Sequence, residues 1–329
     1  MTKTLALFHA AYDHIRERLD ALNLDLTVWT FERDGTFTID GARVPCEEVE
    51  VDYLWISQHI NADGGRQDVF DVIQRCKRVG VLQTFNAGLD DPNYKKIADK
   101  GTTICNSSAQ AVAISEFVIG QVMNVYQPFA LQHDQQARRE WKFTPYREIW
   151  HTHWLVIGYG PIGKALAKRL RPFETTTTVV RRSATPAGDA DRTGTMADLP
   201  EFLPDADVIV IACPLKDETR GFANSDFFAK AKDGAILVNI ARCPLVDDPA
   251  LIDALDSSKI ERAVLDVFHT EPLPADDPLW THPKVNLTPH TSFSGSGVFT
   301  RWDQLFLDNI QRFCNDEPLE MVFDPADLV

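Results

Sequence analysis

Gly158, Gly160 and Gly163 lie in the run Trp154-Leu-Val-Ile-Gly158-Tyr159-Gly160-Pro161-Ile162-Gly163-Lys-Ala-Leu-Ala-Lys-Arg-Leu. Their G-x-G-x-x-G spacing suits the chemistry of holding a dinucleotide. Gly158 permits a tight turn, Gly160 lets the backbone approach a pyrophosphate, and Gly163 lets a helix pack closely on a strand. A buried-strand pattern precedes the glycines and a helical one follows them. The helix start would therefore present free N–H groups and a partial positive charge to the phosphates. A Rossmann site at 158–163 is the expectation.

The end of the next strand bears on which dinucleotide binds. NAD-binding versions place a carboxylate there for the adenosine ribose hydroxyls. This chain has Val179-Val180-Arg181-Arg182-Ser183 instead. Two guanidiniums and a hydroxyl suit a 2′-phosphate, through charge-assisted hydrogen bonds of about 1.5–3 kcal/mol each. NADP(H) is the preferred cofactor on this reading and NAD(H) remains possible. The alternative is that Arg181 and Arg182 are solvated surface arginines.

A chain of 329 residues must carry these groups, which suggests about two domains. Its 33 Lys and Arg against 48 Asp and Glu leave a formal net charge of −15. That balance argues against nucleic acid and against an anionic membrane surface, because both need clustered cations. An anionic ligand would need local positive groups working against the overall field. No apolar run approaches the roughly 20 residues of a membrane span, and the first residues lack the pattern of a signal peptide. Six scattered cysteines without a C-x-x-C pair fit a reducing cytoplasm. His151 and His153 have no metal-ligand pattern around them, and no metal is expected.

Apolar runs at 5–8, 26–31, 53–57, 79–84 and 103–105 read as short strands, with amphipathic stretches at 68–76 and 92–99. A long apolar helix is expected over 109–126, followed by a polar stretch at 132–147. A second strand series follows at 154–158, 175–181, 208–212, 235–239, 262–265 and 285–287, then a helix over 300–313. The four-threonine run at 175–178 reads as ordinary strand. Such alternation predicts an α/β protein with parallel sheets in two doubly wound domains and the active cleft between them.

Four later segments join the glycine fingerprint in order. They are Ala206-Asp-Val-Ile-Val-Ile-Ala-Cys213-Pro214-Leu-Lys-Asp-Glu-Thr219, Gly234-Ala-Ile-Leu-Val-Asn239-Ile240-Ala241-Arg242-Cys243-Pro-Leu-Val-Asp247, Ala263-Val-Leu-Asp266-Val-Phe-His-Thr-Glu271-Pro and Leu287-Thr-Pro-His290-Thr. The series resembles the D-isomer-specific 2-hydroxyacid dehydrogenase family, with the resemblance strongest over 154–290. It implies Arg242, Glu271 and His290 as the catalytic trio. Reducing a 2-oxo acid needs a hydride at C2, a proton for the developing alkoxide and a cation for the carboxylate. Imidazole is the side chain suited to exchanging a proton near neutrality. A carboxylate beside it would fix its tautomer and orientation, and a guanidinium fork matches the substrate carboxylate. Taken singly, His290 could cap a strand end, Glu271 could be a loop carboxylate, and Arg242 could pair with Asp247.

The resemblance further implies a flavodoxin-like substrate domain formed by 1–106 and 292–329, into which a Rossmann cofactor domain, 107–291, is inserted. It makes Cys213, Pro214, Ile240 and Ala241 lining residues for the cofactor and Asp266 a contact for the nicotinamide carboxamide; Arg242 and His290 also border the cofactor. The family's carboxylate-binding turn corresponds to Asn86-Ala87-Gly88, with Asn86 where glycine is usual. Cys243 likewise stands where glycine commonly follows the arginine. Ser57, Gln58 and His59 are a candidate substrate loop or a satisfied surface loop. Glu116 matches a structural glutamate, and the region around Trp141 resembles a dimerisation segment that implies a homodimer, though its aromatic residues could equally pack within the chain.

The arginine-ended second strand resembles the family's glyoxylate/hydroxypyruvate reductase branch. The expectation is a cytoplasmic NADPH-preferring enzyme acting on a small 2-oxo or 2-hydroxy acid. The alternatives are oxidation of another small anion, such as phosphite, on the same scaffold, and a dinucleotide-sensing, corepressor-like scaffold.

Overall fold

The computed structural model describes residues 2–63 and 66–328. The chain divides into two compact units, Met1–Ala109 with Ser296–Val329, and Gln110–Gly295. These divisions fall a few residues beyond the expected 106 and 291.

The first unit holds a seven-stranded sheet among the described residues. Its strands are β1 (Lys3–Phe8), β2 (Leu26–Phe31), β3 (Thr36–Ile39), β4 (Ala42–Pro45), β5 (Glu50–Ile56), β6 (Arg78–Thr84) and β7 (Thr103–Cys105). The sheet order is β4-β3-β2-β1-β5-β6-β7, and the five parallel strands among them follow the flavodoxin-like order. The hairpin β3–β4, antiparallel to β2 and to itself, is a correction to the all-parallel expectation. Asp40 and Gly41 form its two-residue turn, both at positive φ (49° and 79°), as a type I′ turn demands. Helices α1 (His9–Asp20), α2 (Arg66–Arg75) and α3 (Pro92–Ala98) cross between the parallel strands.

The second unit begins with α4 (Ala111–Tyr126) and α5 (Phe129–Arg138), the latter running into the stretch at 132–147 read only as polar. Its strands are β8 (His153–Ile157), β9 (Thr176–Val180), β10 (Arg192–Gly194), β11 (Val208–Ile211), β12 (Ala235–Asn239), β13 (Ile260–Leu265) and β14 (Val285–Leu287). They form a parallel sheet of order β10-β9-β8-β11-β12-β13-β14. The order reverses direction between β8 and β11, which defines the topological switch point of a Rossmann sheet. Thr177 and Thr178 are buried in β9, so the threonine run is ordinary strand.

Alternation along these strands builds two cores. Leu155, Ile157, Ile209, Ile211 and Leu237 point to one face, where α7 (Leu199–Phe202), α8 (Ser225–Lys230) and α9 (Asp248–Asp256) supply Phe202, Phe227, Leu251 and Leu255. Trp154, Val156, Val208, Val210 and Val238 point to the other, against Ile114, Val118 and Val122 of α4 and Leu166 and Leu170 of α6 (Pro161–Leu170). Strands covered on both faces must read as continuous apolar runs, and that is why this half was legible. The chain then returns to the first unit as α10 (Val298–Cys314). Phe306 of α10 stacks on Trp55 at 4.0 Å, and Phe313 meets Tyr53 edge-on at 5.2 Å. Among the described residues, no helix is long and apolar enough to cross a membrane.

Candidate functional site

The candidate residues of the second unit gather where its parallel strands end, at the edge that ligands use in open α/β sheets. Gly158 follows β8 with φ +115°, and a Cβ there would stand 2.4 Å from the Ala212 carbonyl oxygen after β11. A Cβ on Gly163 would stand 2.1 Å from the Gly158 carbonyl oxygen, so α6 can sit this close to the turn only with glycine. Around Gly160, by contrast, a Cβ would meet nothing within 4 Å. The protein leaves this space open at the start of α6, where Gly160 makes no side-chain cap and, among the described residues, no side-chain bond to the first amides is seen. Open space beside unclaimed amides fits a dinucleotide pyrophosphate.

Arg181, Arg182 and Ser183 follow β9 directly. The Arg181 guanidinium lies over the Tyr159 ring at 5.6 Å, and Ser183 pairs with the Thr185 hydroxyl at 3.2 Å. Pro161 and Ile162 begin α6. Cys213, Ile240 and Ala241 are buried at the strand ends, and Pro214 accepts a hydrogen bond from Thr219 through its carbonyl. Burial pushes the Cys213 thiol up to about 12.

Adjacency of β12, β13 and β14 brings together three loops distant in sequence. His290 Nδ1 lies 2.7 Å from Glu271 Oε2, while Glu271 Oε1 accepts the Phe268 amide at 2.9 Å. The carboxylate is thereby fixed at one oxygen and bonded to the imidazole through the other. His290 itself has φ +48°, a left-handed backbone that costs a non-glycine residue about 1–3 kcal/mol. Arg242 follows β12 on a turn that Asn239 clamps, its amide accepting from Ala241 N and donating to the Arg242 carbonyl, each at 3.1 Å. Asp247 caps α9 through the Ala250 amide.

Asp266, the residue expected to contact the nicotinamide, is bonded within the chain. It is fully buried. Its Oδ1 accepts from the Thr288 hydroxyl at 2.6 Å and the Thr291 amide at 2.9 Å, and its Oδ2 from the Ser292 amide at 3.0 Å. All three donors belong to the loop that carries His290. Neither this anchor nor the Asn239 clamp was assigned from sequence, although Asn239 ends β12 and Asp266 directly follows β13 inside the quoted motifs.

In the first unit, the Asn86-Ala87-Gly88 turn follows β6. The Asn86 amide donates to the Tyr94 hydroxyl and to Thr84 Oγ1, so the side chain at the usual glycine position braces the turn. Ala87 accepts from Asn106 Nδ2 at 2.7 Å, and Asn86 accepts from the Ser107 amide at 2.8 Å. Ser57 is buried, with its hydroxyl accepting the His59 amide. His59 packs on the His14 ring at 4.5 Å, and burial pushes its pKa down. Glu116 on α4 pairs with Arg169 of α6 at 3.6 Å. His153 starts β8 and contacts Thr178 Oγ1 at 2.7 Å. Trp141 is fully exposed and Phe143 is 90% exposed, which excludes intrachain packing as the role of either.

Comparison with known proteins bears on the family and the fold. The family described as D-isomer specific 2-hydroxyacid dehydrogenase, NAD binding domain, matches residues 119–292. A hydroxypyruvate reductase of Blautia hydrogenotrophica is 29% identical over 266 residues, 78% of this chain and 81% of that relative. The human glyoxylate reductase/hydroxypyruvate reductase is 35% identical over 165 residues, half of each chain. A solved structure from Xanthobacter autotrophicus, in complex with NADPH and MES, covers 99% of each chain with TM-score 0.78 at 25% identity.

Proposed function

Since the chain belongs to the D-isomer specific 2-hydroxyacid dehydrogenase family, we propose that it reduces small 2-oxo acids, glyoxylate and hydroxypyruvate foremost, to D-2-hydroxy acids with NADPH. The observation that carries this reading is the His290–Glu271 pair, 2.7 Å apart, on the loops after β14 and β13, with Arg242 on the turn after the neighbouring β12. NADPH, when bound, supplies the hydride for C2.

The rest falls to the chain's own residues. Glu271 occupies Nδ1 of His290, which leaves Nε2 to give its proton to the substrate oxygen as negative charge develops there. Arg242 pairs with the substrate carboxylate and supports the forming alkoxide, each charge-assisted hydrogen bond contributing about 1.5–3 kcal/mol. The amides at the start of α6 would hold the pyrophosphate, and Arg181, Arg182 and Ser183 the 2′-phosphate. A turn braced by Asn86 and carrying Ala87 and Gly88 would bind the substrate carboxylate through backbone N–H groups.

Following NADPH and NADH absorbance against a panel of 2-oxo acids tests the reading. Glyoxylate and hydroxypyruvate should oxidise NADPH fastest. Absence of turnover on every acid, with cofactor binding intact, would overturn the enzyme in favour of a dinucleotide-sensing scaffold. In the Arg181→Ala, Arg182→Ala double variant the KM for NADPH should rise at least about tenfold, from the loss of one or more charge-assisted bonds, with little change for NADH. Equal changes would refute the 2′-phosphate assignment.

A cytoplasmic location is supported by six free cysteines, in keeping with a reducing compartment. Exposed Trp141, Phe143, Tyr146 and Trp150 support a homodimer, because apolar side chains clustered in the open favour burial against a partner. Sedimentation should give a dimer for the protein and a monomer for the Trp141→Ala, Phe143→Ala variant. A monomeric parent protein would exclude it.

A further inference from the structure

Beside the candidate site, and using none of its residues, lies a second group of side chains. Cys243 opens the turn after Arg242, Asp248 is the first residue of α9, and His269 precedes Glu271 by two positions. One ligand atom from each lies within 4.8 Å of the others. Cys243 Sγ is 3.8 Å from Asp248 Oδ1, and His269 Nε2 is 3.3 Å from Asp248 Oδ2. Tetrahedral zinc, with bonds of about 2.0–2.3 Å, separates its donors by roughly 3.3–3.7 Å. The thiol and the imidazole thus meet the Asp248 carboxylate through its two different oxygens, and the three side chains stand together before any cation arrives.

We propose that Cys243, Asp248 and His269 form a binding site for a zinc-class divalent cation. Thiolate, imidazole and carboxylate are the donor types zinc takes, and three protein ligands leave a fourth position for water. The field is favourable too. Glu271 acts electrostatically on Cys243, and Asp247 and Asp277 act on Asp248, all with negative charge. The buried Cys243 thiol, pushed up to about 12, loses its proton to the solvent when it ligates. A cation here ties the turn after β12 to the loop after β13, the two segments that carry Arg242 and Glu271.

Spacing in the sequence hides this group, since its members share no short motif. Cys243 and Asp248 flank a turn and a helix start, and His269 arrives from the neighbouring strand. The expectation that the chain binds no metal rested on the His151 and His153 region alone.

Competition of zinc chloride against a chromophoric chelator reads the site directly and does not depend on the reductase reading. One equivalent of zinc should bind per chain. Cys243→Ser and His269→Ala should each weaken it at least tenfold; His269 is exposed, so its variant keeps the fold even where the cysteine variant does not. Cobalt(II) in place of zinc should give a thiolate charge-transfer band that Cys243→Ser abolishes. Failure to bind one equivalent, retention of full affinity by either variant, or a cobalt spectrum without the thiolate band overturns the proposal.

Discussion

Replacing His290 by Ala or Asn is expected to lower kcat by at least about a hundredfold, the lower end of what a general acid–base residue contributes, while the Kd for NADPH changes less than threefold. The asparagine variant carries the greater weight. Residue 290 has φ +48°, and asparagine adopts this left-handed backbone more readily than most residues. His290→Asn therefore keeps the loop and removes only the ring that transfers the proton. Glu271→Gln should be milder, near tenfold. Its amide can still accept the Phe268 N–H, a bond of 2.9 Å, but no longer presents an anion to the imidazole. Stopped-flow hydride transfer and fluorescence titration of cofactor measure the two quantities separately. Near-normal turnover in His290→Asn would contradict the acid–base assignment.

Some of this geometry was legible in the residues and some was not, for reasons that differ from element to element. Strands β8, β11 and β12 are buried on both faces, so they announce themselves as unbroken apolar runs. The edge strands β4 and β10 lack that signature. β4 shows Arg43 to solvent and β10 spans three residues, and neither holds an apolar run. The Asp40-Gly41 turn between β3 and β4 was a readable hairpin signal all the same. Helix α5 buries Gln135 alone, and a helix with no apolar stripe is invisible to periodicity. At the site, motif order pointed to Arg242, Glu271 and His290. Their proximity comes from the lateral order β12-β13-β14, which no local pattern encodes. Hydrogen-bond anchors are the least legible of all, since Asp266 and Asn239 look like any polar residue closing a strand.

That last class supplies the second large expected effect. Asp266→Asn should lower kcat by ten- to a hundredfold and leave the Kd for NADPH within about threefold. Asp266 Oδ1 and Oδ2 together accept three hydrogen bonds, from Thr288, Thr291 and Ser292, on either side of His290. An amide in place of the carboxylate turns one acceptor into a donor facing a donor. A buried group left unpaired in this way costs about 1–3 kcal/mol. For a domain of about 150–250 residues that is a fall of roughly 2–12 °C in Tm. The loop should then sample positions in which His290 no longer meets Glu271, because its strained backbone has lost what holds it. A residue touching the nicotinamide would behave differently, with weakened cofactor binding as the leading effect. The ratio of kcat loss to Kd loss separates anchoring of the catalytic loop from direct contact with the dinucleotide. A variant with weakened NADPH binding and an unchanged Tm would return Asp266 to the cofactor.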